Sequence, residues 1–155
     1  RLIKSIVAVG VVAAVLATKW KTHRTRANDN NLVGVPLTVL QAPADTEAMV
    51  VEAGANVPGE IPRYREILRP DIAVVINAGA GHLEGFGSVA GVVREKLSLT
   101  RGVPLAIVGL EPAELVPGAR ALAKRVVTAG LADGYLGELA EARSDAAKQE
   151  RRKAS

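Results

Sequence analysis

The sequence predicts an α/β fold with a mostly parallel sheet flanked by helices, and three observations support this prediction. Short apolar segments that are typical of strands alternate with helical segments, which is the pattern of βαβ units. The chain has 155 residues and is 48% hydrophobic, which is enough apolar material for the core of one domain. Aromatic residues make up only 3% of the chain, so Val, Ala, Leu and Ile must build the core, as in parallel α/β proteins.

Composition and charge exclude several classes of function. The first 31 residues carry a net charge of +5 and the last 15 carry +2, whereas residues 32–140 carry −3. The central body therefore lacks the basic face of a nucleic-acid-binding protein, and the scarcity of aromatic residues leaves no platform for stacking bases. The absence of cysteine excludes a disulfide framework and a zinc–thiolate site. We expect no nucleic-acid partner.

The opening segment is apolar and flanked by basic residues. Ile6–Ala17 has about twelve residues between Lys4 and Lys19, whereas a membrane-spanning helix needs roughly 20. No small-residue cleavage site follows it, so a buried helix or a strand–helix segment is favoured over a secretory signal or a membrane anchor. The chain begins with Arg1 rather than Met. We therefore expect a fragment or a processed product. We also expect a cytoplasmic location and a monomer.

Five elements are predicted in the first part of the chain. The Ala- and Val-rich stretch Ile6–Leu16 indicates a buried helix, and the alternating stretch Trp20–Arg26 is compatible with a strand. Residues 27–31 are rich in Asn and Asp, which favour turns, and so predict a loop. Leu37–Leu40 predicts one or two helical turns, and Ala48–Val51 a short buried strand.

The second part of the chain continues the alternation. A helix is predicted over Glu60–Leu68, because Pro58 and Gly59 precede it and Arg69-Pro70 closes it. Ile72–Ile76 is a fully apolar strand, and Ser88 is a plausible N-cap for a helix that runs to about Leu99. The remaining predicted elements are a strand at Leu105–Val108, a helix at Glu111–Lys124, a strand at Val126–Ala129 and a charged helical segment from Leu136 to Lys153.

Two of the predicted strands end in polar, glycine-rich segments. Glu52 follows the strand Ala48–Val51, and Asn77 and His82 follow the strand Ile72–Ile76. Ligands of parallel sheets bind at the carboxyl ends of strands, so these residues are candidates for one site. A carboxylate and an imidazole beside flexible glycines suit Mg²⁺ together with a phosphate ligand. Taken singly, each is more often a surface carboxylate or a structural histidine.

Taken together, these segments resemble a known family. The matching runs are Thr25–Pro36 (TRANDNNLVGVP), Val50–Ile61 (VVEAGANVPGEI), Arg69–Asn77 (RPDIAVVIN) and His82–Ser88 (HLEGFGS). They resemble the central ATP-binding domain of the Mur ligases, which has a fold like that of P-loop NTPases. The resemblance extends over about residues 13–130.

The resemblance implies roles for particular residues. Glu52 would bind a Mg²⁺ that bridges ATP phosphates, and His82 would bind a second Mg²⁺ and serve catalysis. Lys96, fourteen residues after His82, matches a lysine that the family carbamylates, which turns a cation into an anion able to orient a metal. Without the resemblance, Lys96 would be taken for a solvated lysine.

Further residues are implied to bind the nucleotide or the muramoyl substrate, and some depart from the family pattern. Lys4-Ser5 resembles the end of the family's phosphate loop, Gly-Lys-Thr/Ser, but no glycine precedes it here. Ala27 stands where the family has a glycine, which would constrain that turn. The implied nucleotide-binding residues are Lys4, Ser5, Asn28, Asn30, Asn31 and Asn77.

The resemblance also implies a reaction and its partners. Residues 1–135 would be a partial central domain and residues 136–155 a charged helical tail. The parent enzyme would use ATP and Mg²⁺ to add D-alanyl-D-alanine to a UDP-muramoyl tripeptide during peptidoglycan synthesis. As a truncated or degenerate copy, the chain alone is expected to be inactive. The alternative is a non-catalytic α/β binding or scaffold domain that has lost phosphate binding.

Overall fold

Parallel strands that alternate with helices form the fold, and the computed structural model describes residues 2–79 and 83–130. The described helices are α1 (Leu2–Ala17), α2 (Gly34–Leu40), α3 (Glu60–Leu68), α4 (Leu83–Phe86), α5 (Val89–Ser98) and α6 (Leu115–Arg120). The described strands are β1 (Thr22–Arg24), β2 (Ala48–Val50), β3 (Ile72–Val75), β4 (Leu105–Val108) and β5 (Val126–Thr128). β1 pairs with β2, and β4 lies between β3 and β5 in a second sheet; every pairing is parallel. The predicted α/β class is confirmed.

Helix α1 contains the apolar opening segment and packs against β1 and β2. Ala13 is buried there, whereas Val11 and Val15 face outward. Within the described residues, no helix combines the length and the apolar character needed to cross a membrane. The predicted helix is therefore present, but the prediction that it is buried was wrong: it packs on one side only, and Ala13 is the only buried side chain among the described residues 8–17.

The larger hydrophobic core lies on one face of the three-stranded sheet. Ala73 and Val75 of β3 are buried against side chains of α5 and α6. Ile72 and Val74, which alternate with them, point to the other face and are 53% and 47% exposed. The strand is apolar on both faces because its residues are Ile, Ala and Val, but in the described part of the chain only one face is deeply buried.

A second, smaller core joins the two sheets through helices. Val35 of α2 and Ile61 and Tyr64 of α3 are buried together in it. Leu99, at the end of α5, packs against this cluster and against the larger core. Helix α5 is therefore held between both halves of the fold.

Several predicted helix ends and one predicted turn are confirmed, and each has a local physical cause. Helix α3 has the predicted bounds, with Gly59 and Arg69 in left-handed conformations at its two ends. Helix α5 begins after Ser88, whose side chain accepts a hydrogen bond of 3.1 Å from the backbone N–H of Gly91. Ala27 has a φ of +47°, the left-handed turn conformation for which the family's glycine is suited.

Other predictions were wrong in extent. The helix predicted over Glu111–Lys124 is limited to α6, because the chain beyond it is bound to the loop before β4. Leu122 O accepts from Gly102 N at 2.8 Å, and Lys124 N donates to Val103 O at 3.0 Å.

Strand β2, predicted to be buried, is half-buried with Met49 exposed, and the short helix α4 was not predicted. The helix predicted at Leu136–Lys153 lies outside the described residues.

Candidate functional site

Glu52 lies just beyond the carboxyl end of β2, as the sequence predicts, and its backbone is anchored to β1. Its N–H donates to Thr25 Oγ1 at 2.9 Å. Thr25 is only 3% exposed, and its own N–H donates to Val50 O at 3.0 Å. The Glu52 side chain then accepts a hydrogen bond of 3.1 Å at Oε1 from Asn30 Nδ2. Glu52 is thus placed by two contacts with the segment that follows β1.

The asparagine-rich segment between β1 and α2 is a structured turn. Asn31 Oδ1 accepts from the backbone N–H groups of Val33 and Gly34 at 3.0 and 2.9 Å, which caps the start of α2. Asn30 N donates to Asn28 O at 2.8 Å. The Asn28 side chain is exposed, so it is accessible to a ligand.

Asn77 and Lys96 meet at the carboxyl end of β3. Lys96 Nζ donates to the backbone carbonyl of Asn77 at 2.8 Å. Burial lowers the pKa of the Lys96 amine, because a low-dielectric environment disfavours the ammonium form. Lys96 is therefore half-buried and directed toward the strand end, and is not the solvated lysine that its local sequence would indicate.

A cavity opens beside this strand end. Its volume is about 370 Å³, which is within the usual range of small-ligand pockets. The described residues that line it are Asn77, Ala78, Gly79, Val89, Glu111 and Pro112.

The loops that follow β2 and β3 are tied together by α4 and α5. Glu95 Oε1 accepts from Gly59 N and from Ile61 N, both at 2.9 Å, and so caps the N-terminus of α3. Gly85 of α4 lies so close to Asn56 O that an added Cβ would collide with that oxygen. Lys96, next to Glu95, contacts the end of β3. Helix α5 therefore fixes the Glu52 loop and the Asn77 strand end relative to each other.

The donor set fits a magnesium ion that is shared with phosphate. Within the described residues, no three His, Cys, Asp or Glu side chains lie close enough to enclose a metal. Mg²⁺ does not need such a cage, because it usually binds through one or two carboxylates together with phosphates and water. Glu52 supplies one carboxylate at a strand end, and its Oε2 has no hydrogen-bond partner among the described residues.

The structure brings two pairs of the predicted site residues into contact. Glu52 and Asn30 are in contact, and so are Asn77 and Lys96. Lys4 and Ser5 lie in the first turn of α1. His82 lies outside the described residues. Asn28 and Asn31 occupy the turn before α2.

Sequence reasoning missed Thr25 and Glu95. Each acts through a contact with a segment more than 25 residues away, because the Glu52 N–H bonds to Thr25 and the N-terminus of α3 bonds to Glu95. The one local signal for Glu95 was that α3 begins after Gly59, which has no capping side chain of its own.

A family model described as the Mur ligase middle domain matches residues 2–154. The chain belongs to the Mur ligase family. The UDP-N-acetylmuramoyl-tripeptide–D-alanyl-D-alanine ligase of Bacillus subtilis is 39% identical over 106 residues, which are 66% of this chain and 23% of that protein. Its Escherichia coli counterpart is 43% identical over 94 residues, which are 61% of this chain and 21% of that protein.

Solved Mur ligase structures agree with this placement. MurF from Acinetobacter baumannii aligns with a TM-score of 0.70 and 31% identity, over 77% of this chain and 27% of that one. MurF from Thermotoga maritima in complex with ADP aligns with a TM-score of 0.70 and 25% identity, over 76% of this chain and 28% of that one. The predicted family is confirmed, and the chain spans about a quarter of the length of these relatives.

Proposed function

We propose that this chain is the ATP-binding part of a ligase that joins D-alanyl-D-alanine to a UDP-muramoyl tripeptide in peptidoglycan synthesis. The observation that carries the proposal is that α5 contacts both strand-end segments, through Glu95 at the start of α3 and through Lys96 at Asn77. The names of the curated relatives support this substrate pair, and the ADP in the Thermotoga maritima enzyme supports the nucleotide. We further propose a cytoplasmic monomer, with no nucleic-acid partner.

The proposed reaction has two steps. The terminal carboxylate of the UDP-muramoyl tripeptide attacks the γ-phosphorus of ATP, so that an acyl phosphate forms and ADP leaves. The amine of D-alanyl-D-alanine then attacks the acyl carbon, the amide bond forms and phosphate departs. In phosphoryl transfer, the protein mainly positions the reactants and stabilises charge. Fixed polar groups at the carboxyl ends of strands are suited to both roles.

The residues of the proposed site would have distinct roles in binding magnesium, the nucleotide and the muramoyl substrate. Glu52 and His82 would hold magnesium ions, which neutralise phosphate charge when they are bound. Asn28, Asn30 and Asn31, which follow β1, and Asn77, which follows β3, would lie near the nucleotide and the muramoyl substrate. Lys4 and Ser5, in the first turn of α1, would contribute to phosphate binding, since N–H groups at a helix N-terminus attract anions.

Magnesium–nucleotide binding tests the proposal. Calorimetric titration of the chain with Mg²⁺–ATP is expected to show weak binding that Glu52→Ala and His82→Ala each reduce by about tenfold, because each removes a charge-assisted contact. Glu66→Ala, which removes an exposed carboxylate on α3, is the matched control and should leave the affinity unchanged. Equal affinity in all three variants would refute the site, and no binding by the unmodified chain would favour the non-catalytic scaffold.

The proposed carbamylation of Lys96 has a direct test. The neutral amine adds to CO₂, the N–C bond forms and a proton leaves, so a lowered pKa favours the reaction at a given pH. With ¹³C-labelled bicarbonate, we expect a carbamate carbonyl signal that grows as the pH rises. Lys96→Arg should abolish the signal, while Lys124→Arg, at an exposed lysine, should retain it. A signal that survives Lys96→Arg would contradict the assignment.

A further inference from the structure

We infer that Asn30 is a positioning residue that holds the Glu52 carboxylate in one orientation, with Oε2 presented to a divalent cation. The inference rests on the proposed function, because it takes Glu52 as the metal-binding residue. Its basis is the hydrogen bond of 3.1 Å from Asn30 Nδ2 to Glu52 Oε1. Only the amide nitrogen of Asn can donate to an ionised carboxylate, so the contact fixes both side chains.

Both partners are anchored through their backbones, so the contact joins two fixed points. On one side, Glu52 N donates to the hydroxyl of buried Thr25. On the other, Asn30 O accepts a short hydrogen bond of 2.7 Å from Gly54 N. The Asn30 backbone is also held by the turn that Asn31 caps at the start of α2. Both side chains therefore start from fixed backbone positions, and the hydrogen bond between them sets their orientation.

Gly54 leaves the space that the Asn30 amide occupies. A Cβ at position 54 would lie 3.0 Å from Asn30 Cγ, which is closer than such contacts normally allow. The absence of a side chain at Gly54 is therefore part of the same arrangement. A substitution at Gly54 would displace the Asn30 amide, while the chemical groups of Asn30 and Glu52 would stay the same.

The contact determines how Glu52 meets a cation. With Oε1 engaged by Asn30, the carboxylate presents Oε2, which has no hydrogen-bond partner in the described part of the chain. A free glutamate side chain has several rotatable bonds and loses their entropy when it binds a metal. Asn30 holds the side chain in place beforehand, which is the usual effect of groups that orient metal ligands. Asn30 is thus assigned to the carboxylate rather than to the nucleotide itself.

The test is a double-mutant cycle on the whole 155-residue chain, with Mn²⁺ as the probe and free Mn²⁺ followed by electron paramagnetic resonance. Asn30→Ala is expected to weaken Mn²⁺ binding about tenfold. In the Glu52→Ala background the same change should have no further effect, because there is no carboxylate left to orient. Gly54→Ala should also weaken Mn²⁺ binding. If Asn30→Ala does not fold, the Mn²⁺ affinity of Gly54→Ala tests the positioning role instead. Asp45→Asn, which removes the exposed ion pair with Lys21, is the control and should bind as the unmodified chain does.

The outcomes separate the two proposals. If Glu52→Ala weakens binding but Asn30→Ala and Gly54→Ala do not, the positioning role is overturned and the metal role of Glu52 stands. If Asn30→Ala weakens binding equally in both backgrounds, Asn30 acts without Glu52 and the inference is again overturned. If Glu52→Ala leaves Mn²⁺ affinity unchanged, the metal role of Glu52 in the proposed function fails, and the positioning role fails with it.

Discussion

Gly109→Ala is expected to lower the free energy of unfolding by about 2–3 kcal/mol, because the added methyl group has no space. Gly109 is buried directly after β4, and its N–H donates to Val75 O at 2.9 Å. A Cβ there would collide with the carbonyl oxygen of Ile76, a backbone atom that cannot turn away. The ends of β3 and β4 would have to separate, and the turn that carries Asn77 would shift with them.

Gly10→Ala is the matched control for that substitution. Gly10 lies within α1, and a Cβ at its position would meet nothing within 4 Å. Since alanine is the better helix former, we expect this change to raise stability by roughly 0.5–1 kcal/mol. Denaturant unfolding of both variants gives the two free energies. A result in which Gly109→Ala is as stable as the unmodified chain would contradict the close contact between the two strand ends.

Glu95→Ala is expected to lower the free energy of unfolding by about 2–3 kcal/mol, because two charge-assisted hydrogen bonds are lost together. The carboxylate accepts from Gly59 N and Ile61 N at the start of α3, where N–H groups have no partner within the helix. Their loss would also release the Glu52 loop from α5. Glu95→Gln keeps an acceptor oxygen without the charge, so its loss of stability should be about half as large.

Glu66→Ala is the control for the Glu95 pair, since Glu66 is exposed on α3. Its effect should stay within about 0.5 kcal/mol. Thermal or denaturant unfolding measures the stability of each variant, and amide hydrogen exchange at Gly59 and Ile61 reports on the capping contact itself. Unchanged protection of these two amides in Glu95→Ala would show that the carboxylate does not cap α3.

Much of the fold could be predicted because its causes are local. The apolar runs at Ile72–Val75 and Leu105–Val108 are strands as predicted, since β-branched and apolar residues lie between polar turns. Ser88 caps α5 through its own side chain, and Ala27 adopts the strained turn that its replacement of glycine implied. Each of these features depends on a few adjacent residues.

The extent of α6 and the contacts of the site residues could not be predicted in the same way. Helix α6 ends early because Leu122 and Lys124 bond to a loop about 20 residues earlier in the chain. The triplet Arg94-Glu95-Lys96 has the local pattern of a solvated helix face, yet Glu95 caps α3 and Lys96 reaches Asn77. Only the family resemblance marked Lys96, because nothing in its immediate sequence distinguishes it.

The sequence by itself determined the alternation of strands and helices, the family and the polar residues that follow β2 and β3. These properties follow from local composition and from motifs, which need no knowledge of distant contacts. The tertiary structure decided how those residues are arranged. Asn30 meets Glu52 across 22 positions, Lys96 meets Asn77 across 19, and Glu95 reaches α3 across 34 to 36. Such contacts form only when separate segments pack, because hydrogen bonds between them depend on where helices and strands are placed in space.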